Sequence, residues 1–452
     1  MTIFVLIMFA LMYVLIIAFP KYKPHVTGLT ALILTVSLII SKHLLWHEVF
    51  TSAINYNVVM MLVGIMITVG LFSESNMPNK LSEKIIARIP NAMWVLVIIS
   101  LLSGVISAFV DNVATVLMLA PIGFAIAKKV GISPIPVLIS IAVSSNLQGA
   151  ATLVGDTTSV MLGGFANMSF MEFFFLDGKF SMFWAVEIGA LLTVPVLIFI
   201  FRKQNKKFEY IAEKVEITTM FPTVMLILNI TCLVLCSFIN IPQGFVAENI
   251  NGLLCLFFGV VCLVYHIVTA KKTEVINQDG IKTFAGGKKQ ALKTILGTID
   301  FPTVLFLVFL FIIIQAVEAV GIIDAIASFF VTVGSKNIFL LYTLIVFASV
   351  LISAFIDNIP YVATMLPVIQ GLVLGLNAPA SISYLLYFGL LCGATLGGNI
   401  TPVGASANVV AIGMLGKEGY KVKSSDFFKI GIPFTLVAVL GGYLFTWFVW
   451  GM

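Results

Sequence analysis

Two short polar segments stand out because they interrupt apolar sequence that is long enough to cross a membrane. Ser107–Val113 reads SAFVDNV, and Ser353–Ile359 reads SAFIDNI. Their aspartates are 246 positions apart (357 minus 111). A carboxylate inside hydrocarbon needs a cation, a proton or several hydrogen-bond donors. The repeated pairs Asp111-Asn112 and Asp357-Asn358 therefore predict a binding site for a polar solute or ion within the membrane, made from both halves of a duplicated transporter.

A glycine-rich polar segment follows each Asp-Asn pair. Glycine and proline weaken a helix, and the released N–H and C=O groups need partners that a solute or ion can supply. The alternative is that the small residues only allow close helix packing, but their matching places in the two halves favour a site. The residues predicted to bind solute are Asp111, Asn112, Asn146, Thr152, Thr157, Thr158, Ser159, Asp357, Asn358, Asn399, Thr401, Ser406 and Asn408. The residues predicted to take part in ion coupling are Asp111, Gly149, Gly155, Asp156, Asp357, Gly398 and Gly404.

The charges of this predicted site are negative. Asp111, Asp156 and Asp357 belong to it, and no Lys or Arg is expected close to it. Each carboxylate should hold a cation or a proton, so Na+ could bind at Asp111, Asn112, Asp357 and Asn358. The alternative role for each aspartate is a hydrogen-bonded cap of a helix. No cofactor is expected beyond Na+ or H+ as the coupling ion.

The composition identifies a membrane protein. Of the 452 residues, 60% are hydrophobic and 10% are charged, whereas soluble domains carry about 25% charged residues. The net charge of +5 does not indicate nucleic-acid binding, because the basic residues lie in short loops between apolar segments. The fold class predicted is an all-α integral membrane protein.

The apolar segments divide into two halves of the same design. Each half contains five crossings and one Asp-Asn run. Because five is odd, the halves must lie in opposite orientations, which is the inverted repeat of secondary transporters. The predicted division is 1–201 for the first repeat, 202–219 for a cytoplasmic linker and 220–452 for the second repeat. The predicted crossings are 2–19, 26–41, 56–72, 134–175, 180–201, 221–240, 252–270, 301–320, 381–415 and 430–450.

The basic residues set the orientation. With both termini outside, all 25 basic residues fall on the inner side except Lys42, Lys179 and Lys336. Such a bias is typical of cytoplasmic loops. The sequence therefore predicts a multi-pass protein of the plasma membrane (the inner membrane of a bacterium), with both termini outside.

The Asp-Asn runs allow two topologies. The 92–127 segment could form two complete spans, with Asp111 in a surface loop, or one re-entrant hairpin, with Asp111 at a tip inside the membrane. Two spans and a turn need about 40 residues or more, so the length favours the hairpin. Non-helical backbone at that depth survives only against protein or a wet cavity.

These segments resemble the ion transporter superfamily, in particular its branch of arsenite permeases, D-type sodium/proton antiporters and the melanosomal P protein. This branch is citrate transporter-like and is related to the divalent anion–sodium symporters. The resemblance covers nearly the whole chain and is strongest at Phe355–Pro360 and Gly397–Val410. Two departures lie in the first half: Gln148 replaces a usual Gly, and Thr157-Thr158-Ser159 stands where many relatives have Pro-Pro-Asn.

The resemblance implies two hairpins with Asp111-Asn112 and Asp357-Asn358 at their tips. It also implies unwound helices at 146–159 and 397–408, with solute and sodium bound between tips and breaks. Relatives are usually homodimers in which one part of each subunit slides past a fixed part, like an elevator.

The predicted function is secondary active transport of a small anion or oxyanion, of the carboxylate or arsenite class, coupled to Na+ or H+. A Na+/H+ antiporter is the alternative. A membrane-embedded enzyme is a remote one, since the Asp-Asn pairs repeat one another instead of forming a complementary acid and base. The partners expected are a small molecule or ion, the lipid bilayer and a second copy of the chain, and no nucleic acid.

Overall fold

The computed structural model describes residues 1–51, 53–209, 215–239, 241–270, 272–276, 282–334 and 337–452. Part of the predicted linker, 210–214, lies outside the described residues, and so do three basic residues used to predict the orientation, namely Lys214, Lys271 and Lys336.

The described chain is almost entirely helical. The helices of the first half are α1 (Thr2–Ala18), α2 (Lys23–Ile40), α3 (Glu48–Thr51), α4 (Tyr56–Glu74), α5 (Met77–Ile86), α6 (Ala92–Ser107), α7 (Asn112–Val130), α8 (Ile135–Gly149), α9 (Thr157–Phe165) and α10 (Met182–Phe201). Those of the second half are α11 (Phe221–Cys236), α12 (Phe245–Thr269), α13 (Lys288–Thr298), α14 (Phe301–Ala319), α15 (Ile322–Gly334), α16 (Ile338–Ser353), α17 (Asn358–Leu376), α18 (Ala380–Gly397), α19 (Ser406–Lys417) and α20 (Ser424–Thr446).

Short elements complete the described fold. Single 3-10 turns cover Pro20–Tyr22, Met171–Phe173, Arg202–Gln204 and Gly398–Ile400, and a π-helical turn covers Trp447–Gly451. Two antiparallel hairpins, which the sequence analysis did not predict, pair β1 (Phe175–Leu176) with β2 (Lys179–Phe180) and β3 (Lys272–Ile276) with β4 (Lys282–Gly286).

The described helices include enough apolar length for many crossings. Nine of them are long and apolar enough to span a membrane, namely α2, α4, α7, α10, α12, α14, α17, α18 and α20. All predicted crossings coincide with helices, and the two glycine-rich regions lie where α8 gives way to α9 and α18 to α19. The prediction of an all-α integral membrane protein is confirmed.

The duplication is visible in the lengths of the helices around the Asp-Asn pairs. Helices α6 and α16 have 16 residues each, and α7 and α17 have 19 each. An asparagine caps the start of each first arm: Asn91 Oδ1 accepts from Trp94 N at 3.2 Å, and Asn337 Oδ1 accepts from Leu340 N at 3.1 Å. We call α6–α7 the first hairpin and α16–α17 the second hairpin.

The helices pack into two groups. In the framework group, α4 packs on α12 and α2 on α14, with α1 and α11 beside them. In the hairpin group, α6 packs on α8, α16 on α18 and α10 on α20. Glycines allow the closest crossings: a Cβ on Gly64 of α4 would overlap the backbone of Cys255 on α12, and one on Gly189 of α10 would lie 2.9 Å from the Ala438 carbonyl oxygen of α20. Close approach at small residues is the usual basis of helix association in membranes.

Candidate functional site

The aspartate at each hairpin tip caps the helix that follows it. Asp111 Oδ1 accepts from Val113 N at 3.0 Å and from Ala114 N at 3.1 Å. Asp357 Oδ1 accepts from Ile359 N at 3.3 Å. The cap role that the sequence left open is therefore present in both tips, and it uses one oxygen of each carboxylate. The second oxygen, Oδ2, is left for another partner.

The tip asparagines are buried, and Asn112 connects the two halves through a chain of hydrogen bonds. Asn112 Nδ2 donates to Asn146 Oδ1 at 3.1 Å, and Asn146 Nδ2 donates in turn to Asn399 Oδ1 at 3.1 Å and to the Thr395 carbonyl at 2.8 Å. Asn399 Nδ2 donates back to the Val143 carbonyl at 2.9 Å. A continuous amide chain thus runs from the first tip into the broken helix of the second half. Every member fixes the next, so the arrangement is preorganised.

Each tip is fastened to the break beside it by the same two devices. Ser107 Oγ donates to Asn112 Oδ1 at 2.7 Å, and Ser353 Oγ donates to Asn358 Oδ1. The hydroxyl of the break threonine donates to the tip carbonyl, from Thr152 to Ala108 in the first half and from Thr401 to Ala354 in the second. These hydroxyls hold a non-helical tip in place inside apolar surroundings.

Glycines at the breaks let the tips approach. A Cβ on Gly149 would overlap the Asn112 carboxamide, and a Cβ on Gly398 would lie 2.9 Å from Asn358 Oδ1. A Cβ on Gly155 would lie 2.7 Å from the Ala108 carbonyl oxygen and 2.5 Å from that of Gly149. Gly404 is enclosed in the same way by the carbonyls of Gly398 and Ala354. Backbone carbonyls therefore converge where each tip meets its break.

The tips and breaks line one cavity of about 790 Å³, which we call the tip cavity. This volume is within the range of small-molecule sites, roughly 300–1,000 Å³. The predicted site residues that line it are Asp111, Asn112, Asn146, Gly155, Asp156, Thr157, Asp357, Asn358 and Ser406. Both aspartates lie against the breaks and are partly buried, and the choice between the hairpin and the two-span topology stays a prediction.

The other predicted site residues lie behind the cavity wall. Five of them contact the tips as described above, namely Thr152, Thr401, Gly149, Gly398 and Gly404. Thr158 Oγ1 donates to Asp156 Oδ2 at 3.0 Å and lies 3.0 Å from Thr395 Oγ1. Asn408 Nδ2 donates to the carbonyls of Gly398 at 3.0 Å and Thr401 at 3.1 Å. Ser159 Oγ and Asn408 Oδ1 are buried without a hydrogen-bond partner among the described residues.

The tip cavity is acidic. Five carboxylates line it, and no Lys, Arg or His is among its described lining residues; the five are Glu74, Asp111, Asp156, Asp300 and Asp357. Sequence reasoning missed Glu74 and Asp300, because they stand at the ends of apolar segments, where charged residues are common. Asp300 caps α14 by accepting from Thr303 N at 3.2 Å, and it is exposed.

One expectation about charge is wrong. The sequence placed no Lys or Arg near the site, but Lys23 Nζ forms an ion pair with Asp357 Oδ2. The predicted crossing began at Val26, which left Lys23 in an inner loop. In the structure α2 begins at Lys23 itself, and the side chain reaches the second tip.

Gln148, one departure from the family pattern, is a packing residue. A Cβ on Gly104 would overlap the Gln148 side chain. In the second half the large and the small residue are exchanged. Gly397 matches Gln148, because it stands 249 positions later (397 minus 148), and a Cβ on Gly397 would lie 2.7 Å from the Val350 backbone. Gln148 is not among the residues that line the tip cavity, so it fills space between α6 and α8.

A second cavity, which we call the far cavity, has a volume of about 720 Å³. Helices α4, α9, α14 and α17 contribute to the lining of both cavities, with different residues in each. Tyr56–Val58 of α4 line the far cavity, whereas Leu62–Glu74 contribute to the tip cavity. About one to two turns of helix separate the two linings on α4, α14 and α17, whereas on α9 the adjacent residues Val160 and Met161 line the tip cavity and the far cavity.

The family follows from comparison with known proteins. A family model described as Citrate transporter matches residues 4–389. The chain belongs to the citrate transporter family. An uncharacterized transporter of Mycobacterium bovis is 26% identical over 453 residues, which cover 99% of this chain and 98% of the relative.

Two further comparisons concern a human relative and a solved structure. The human P protein is 26% identical over 447 residues, covering 86% of this chain and 53% of the P protein. The crystal structure of the YdaH transporter of Alcanivorax borkumensis aligns with a TM-score of 0.54 at 13% identity, covering 87% of this chain and 84% of that one. The latter identity shows a shared fold alone. The resemblance predicted from the motifs is confirmed, and the protein is a membrane transporter and not an enzyme.

Proposed function

We propose that this member of the citrate transporter family is a secondary active transporter that carries a small carboxylate, of the citrate class, or an oxyanion such as arsenite together with Na+ or H+. The observation that carries the proposal is the acidic tip cavity, formed where two Asp-Asn tips meet two broken helices.

The charge of the cavity supports coupling to a cation. An anion alone would meet Asp111 and Asp156, neither of which has an ion-pair partner among the described residues. Burial strengthens such repulsion, because the effective dielectric constant falls. A bound Na+ or proton removes it, so cation binding must precede or accompany anion binding. Solute uptake is then tied to the cation gradient.

The first tip offers ligands suited to Na+. Carbonyl oxygens of Ser107, Ala108 and Gly149 converge around Gly155, and carbonyls released by a broken helix are the groups that bind Na+ in secondary transporters. Asp111 and Asp156 both line the tip cavity. Protonation of these two carboxylates would meet the same need for charge compensation, which is why both coupling ions remain in the proposal.

The packing supports an elevator-type movement. Within the framework group α4 packs on α12, α2 packs on α14, and α4 contacts α14, while α4–α9 and α14–α17 contacts join the framework group to the hairpin group. The four helices at this boundary line the tip cavity with one set of residues and the far cavity with another. Sliding the hairpin group along the boundary would open the tips first to one end and then to the other.

The proposed topology has two inverted repeats, 1–201 and 220–452. Residues 202–219 link them on the cytoplasmic side, and both termini lie outside the plasma membrane. Two copies of the chain form a dimer.

A Na+/H+ antiporter is the second candidate. The absence of basic residues from the described lining of the tip cavity favours an antiporter. Asp111 and Asp156 can exchange Na+ for protons without any anion.

Reconstitution of the purified protein into proteoliposomes tests the proposal. Citrate, a C4 dicarboxylate and arsenite are supplied with imposed Na+ or pH gradients, and protein-free liposomes and collapsed gradients are the controls. Counterflow and gradient-driven uptake of one solute are the expected result. Release of 22Na+ driven by a pH gradient, with no solute counterflow, would identify the antiporter instead.

A further inference from the structure

A third cavity lies away from the tips, where the start of α8, the end of α10 and the start of α20 meet. Its volume is about 910 Å³. We call it the basic groove, after Arg202, Lys203 and Lys429, which line it. All three helices belong to the hairpin group, and the groove shares no lining residue with the tip cavity or the far cavity.

The charges of the basic groove are not balanced within it. Three cations and one carboxylate, that of Asp426, line it, which gives a formal charge of +2 (three minus one). Asp426 Oδ2 accepts from the backbone N–H of Lys423 at 3.3 Å. None of the three cations forms an ion pair with a described residue. A cleft lined by one sign of charge attracts the opposite sign, so the groove favours an anion that contacts both helices.

Beneath the cations the walls of the groove are apolar. Pro195 and Val196 of α10 and Pro433 of α20 line it. Val196 stands six positions before Arg202 (202 minus 196), which is about 9 Å along a helix. Both α10 and α20 are long and apolar enough to span a membrane, and Arg202 directly follows the last residue of α10. The cations therefore lie at the depth of lipid head groups, and the apolar walls extend from there toward the hydrocarbon.

The guanidinium of Arg202 is held over an aromatic wall. Its Cζ lies 4.0 Å from the centre of the Phe199 ring, a cation–π contact that leaves the N–H groups at the edge of the guanidinium plane able to donate. This planar fork of donors matches the oxygens of a phosphate group. The ammonium groups of Lys203 and Lys429 can reach the same anion, because both side chains are long and exposed.

The matching corner of the fold is closed by the protein itself. Helices α10 and α20 run antiparallel, since 195–203 and 426–433 meet at the basic groove and Phe180 meets Trp450 at the other end. There Trp450 is 2% exposed, its Nε1 donates to the Phe180 carbonyl at 2.9 Å, and its ring packs on Tyr384 of α18. An indole thus fills one corner, whereas cations above an apolar wall line the other.

We propose that the basic groove binds one anionic phospholipid. The phosphate contacts Arg202, Lys203 and Lys429, and an acyl chain lies along Val196 and Pro433. The phosphate then joins the end of α10 to the start of α20 and reduces the repulsion between their cations. Basic pockets between membrane helices bind anionic head groups in this way. The inference goes beyond the proposed transport and stands whichever solute is carried.

Lipid retention by the purified protein tests the proposal. The protein in neutral detergent is incubated with phosphatidylglycerol, phosphatidylcholine or inorganic phosphate, and native mass spectrometry counts the lipids kept by each chain. The wild type is expected to keep one phosphatidylglycerol and to melt at a higher temperature with it. Arg202→Gln/Lys203→Gln/Lys429→Gln is expected to keep about tenfold less. Equal retention of phosphatidylcholine, or an equal rise in melting temperature with inorganic phosphate, would overturn the proposal.

The matched control removes the same charge outside the groove. Lys207, Lys417 and Lys421 are exposed and do not line it. Lys207→Gln/Lys417→Gln/Lys421→Gln is therefore expected to keep phosphatidylglycerol as the wild type does. Equal losses in the two triple variants would show attraction to the overall positive charge of this surface and would overturn the proposal.

Val196→Trp tests the same groove with every charge kept, and it decides the question if the loss of three cations prevents membrane insertion. The indole fills the apolar wall, so this variant is expected to lose phosphatidylglycerol. Leu191→Trp is its control, because Leu191 is 68% exposed on the same helix and does not line the groove. Equal retention by these two variants would overturn the proposal, since the lipid would then not occupy the groove.

Discussion

Asp111 and Asp357 occupy matching positions in the two hairpins, and each caps the helix that follows it. Their surroundings differ in charge. Asp357 is paired with Lys23, and the position matching Asp156, 249 residues later (405 minus 156), is Ala405. At these matching positions the first half thus has Asp111 and Asp156, neither of which has an ion-pair partner among the described residues, and the second half has Asp357, which is paired with Lys23.

The contacts that hold each tip against its break, in contrast, are alike in the two halves. The serine-to-asparagine, threonine-to-carbonyl and glycine-to-carbonyl contacts recur at both tips. The contacts that hold a tip against a break are therefore common to both halves, while the charges differ. We propose that tip geometry is required in both halves and that cation binding is concentrated in the first.

The largest effect is expected from Asp156→Asn. Removing one charged ligand of a buried cation costs about 3 kcal/mol, which corresponds to about a hundredfold weaker ion binding. The ion concentration that gives half-maximal uptake measures this change. The control is Asp300→Asn, at an exposed carboxylate of the same cavity, where a change within about threefold is expected. Equal effects of the two variants would remove the distinction between the halves.

Gly149→Ala and Gly398→Ala test the shared backbone. Each new Cβ would crowd a tip asparagine, and overpacking of this kind costs about 1–3 kcal/mol. We expect lower melting temperatures and reduced uptake for both variants. The control is Gly413→Ala in α19, where a Cβ has open space. Loss of function in one half alone would show that the tips are not equivalent in geometry.

The smallest effect on transport is expected from Gln148→Gly. The change leaves a void beside Gly104 and should lower stability by about 1–2 kcal/mol, without altering the apparent affinity for the solute. Gly104→Val/Gln148→Gly copies the arrangement of the second half and should recover stability. Altered solute selectivity in Gln148→Gly would show that Gln148 contributes to the solute-binding site.

Much of the fold was predictable because the duplication is written in the sequence. The constant spacing between Ser107–Val113 and Ser353–Ile359 predicted the same polar segment in both halves, the length of the 92–127 segment favoured a hairpin over two spans, and hydrocarbon-length apolar runs predicted the other helices. The glycines at 149 and 398 indicated breaks, since only a residue without a side chain fits against a tip carboxamide.

The charge partner of Asp357 was not predictable in the same way. Lys23 and Asp357 are 334 positions apart in sequence, and no local pattern connects them. A lysine at the end of a span usually sets the orientation of the protein in the membrane. Lys23 was interpreted in this way, and its ion pair with Asp357 was therefore not predicted. The separation of cavity-lining residues from those behind the wall likewise depends on how the broken helices turn, which periodicity does not specify.

The most direct test of the central claim compares Asp111→Asn with Lys23→Met/Asp357→Asn in ion-gradient-driven uptake. Asparagine caps a helix as well as aspartate does, so each variant removes charge and keeps the tip. We predict that Asp111→Asn loses the dependence of uptake on the Na+ or pH gradient, while the double variant keeps it. Retained gradient dependence in Asp111→Asn, with loss in the double variant, would contradict the assignment of the coupling cation to the first half.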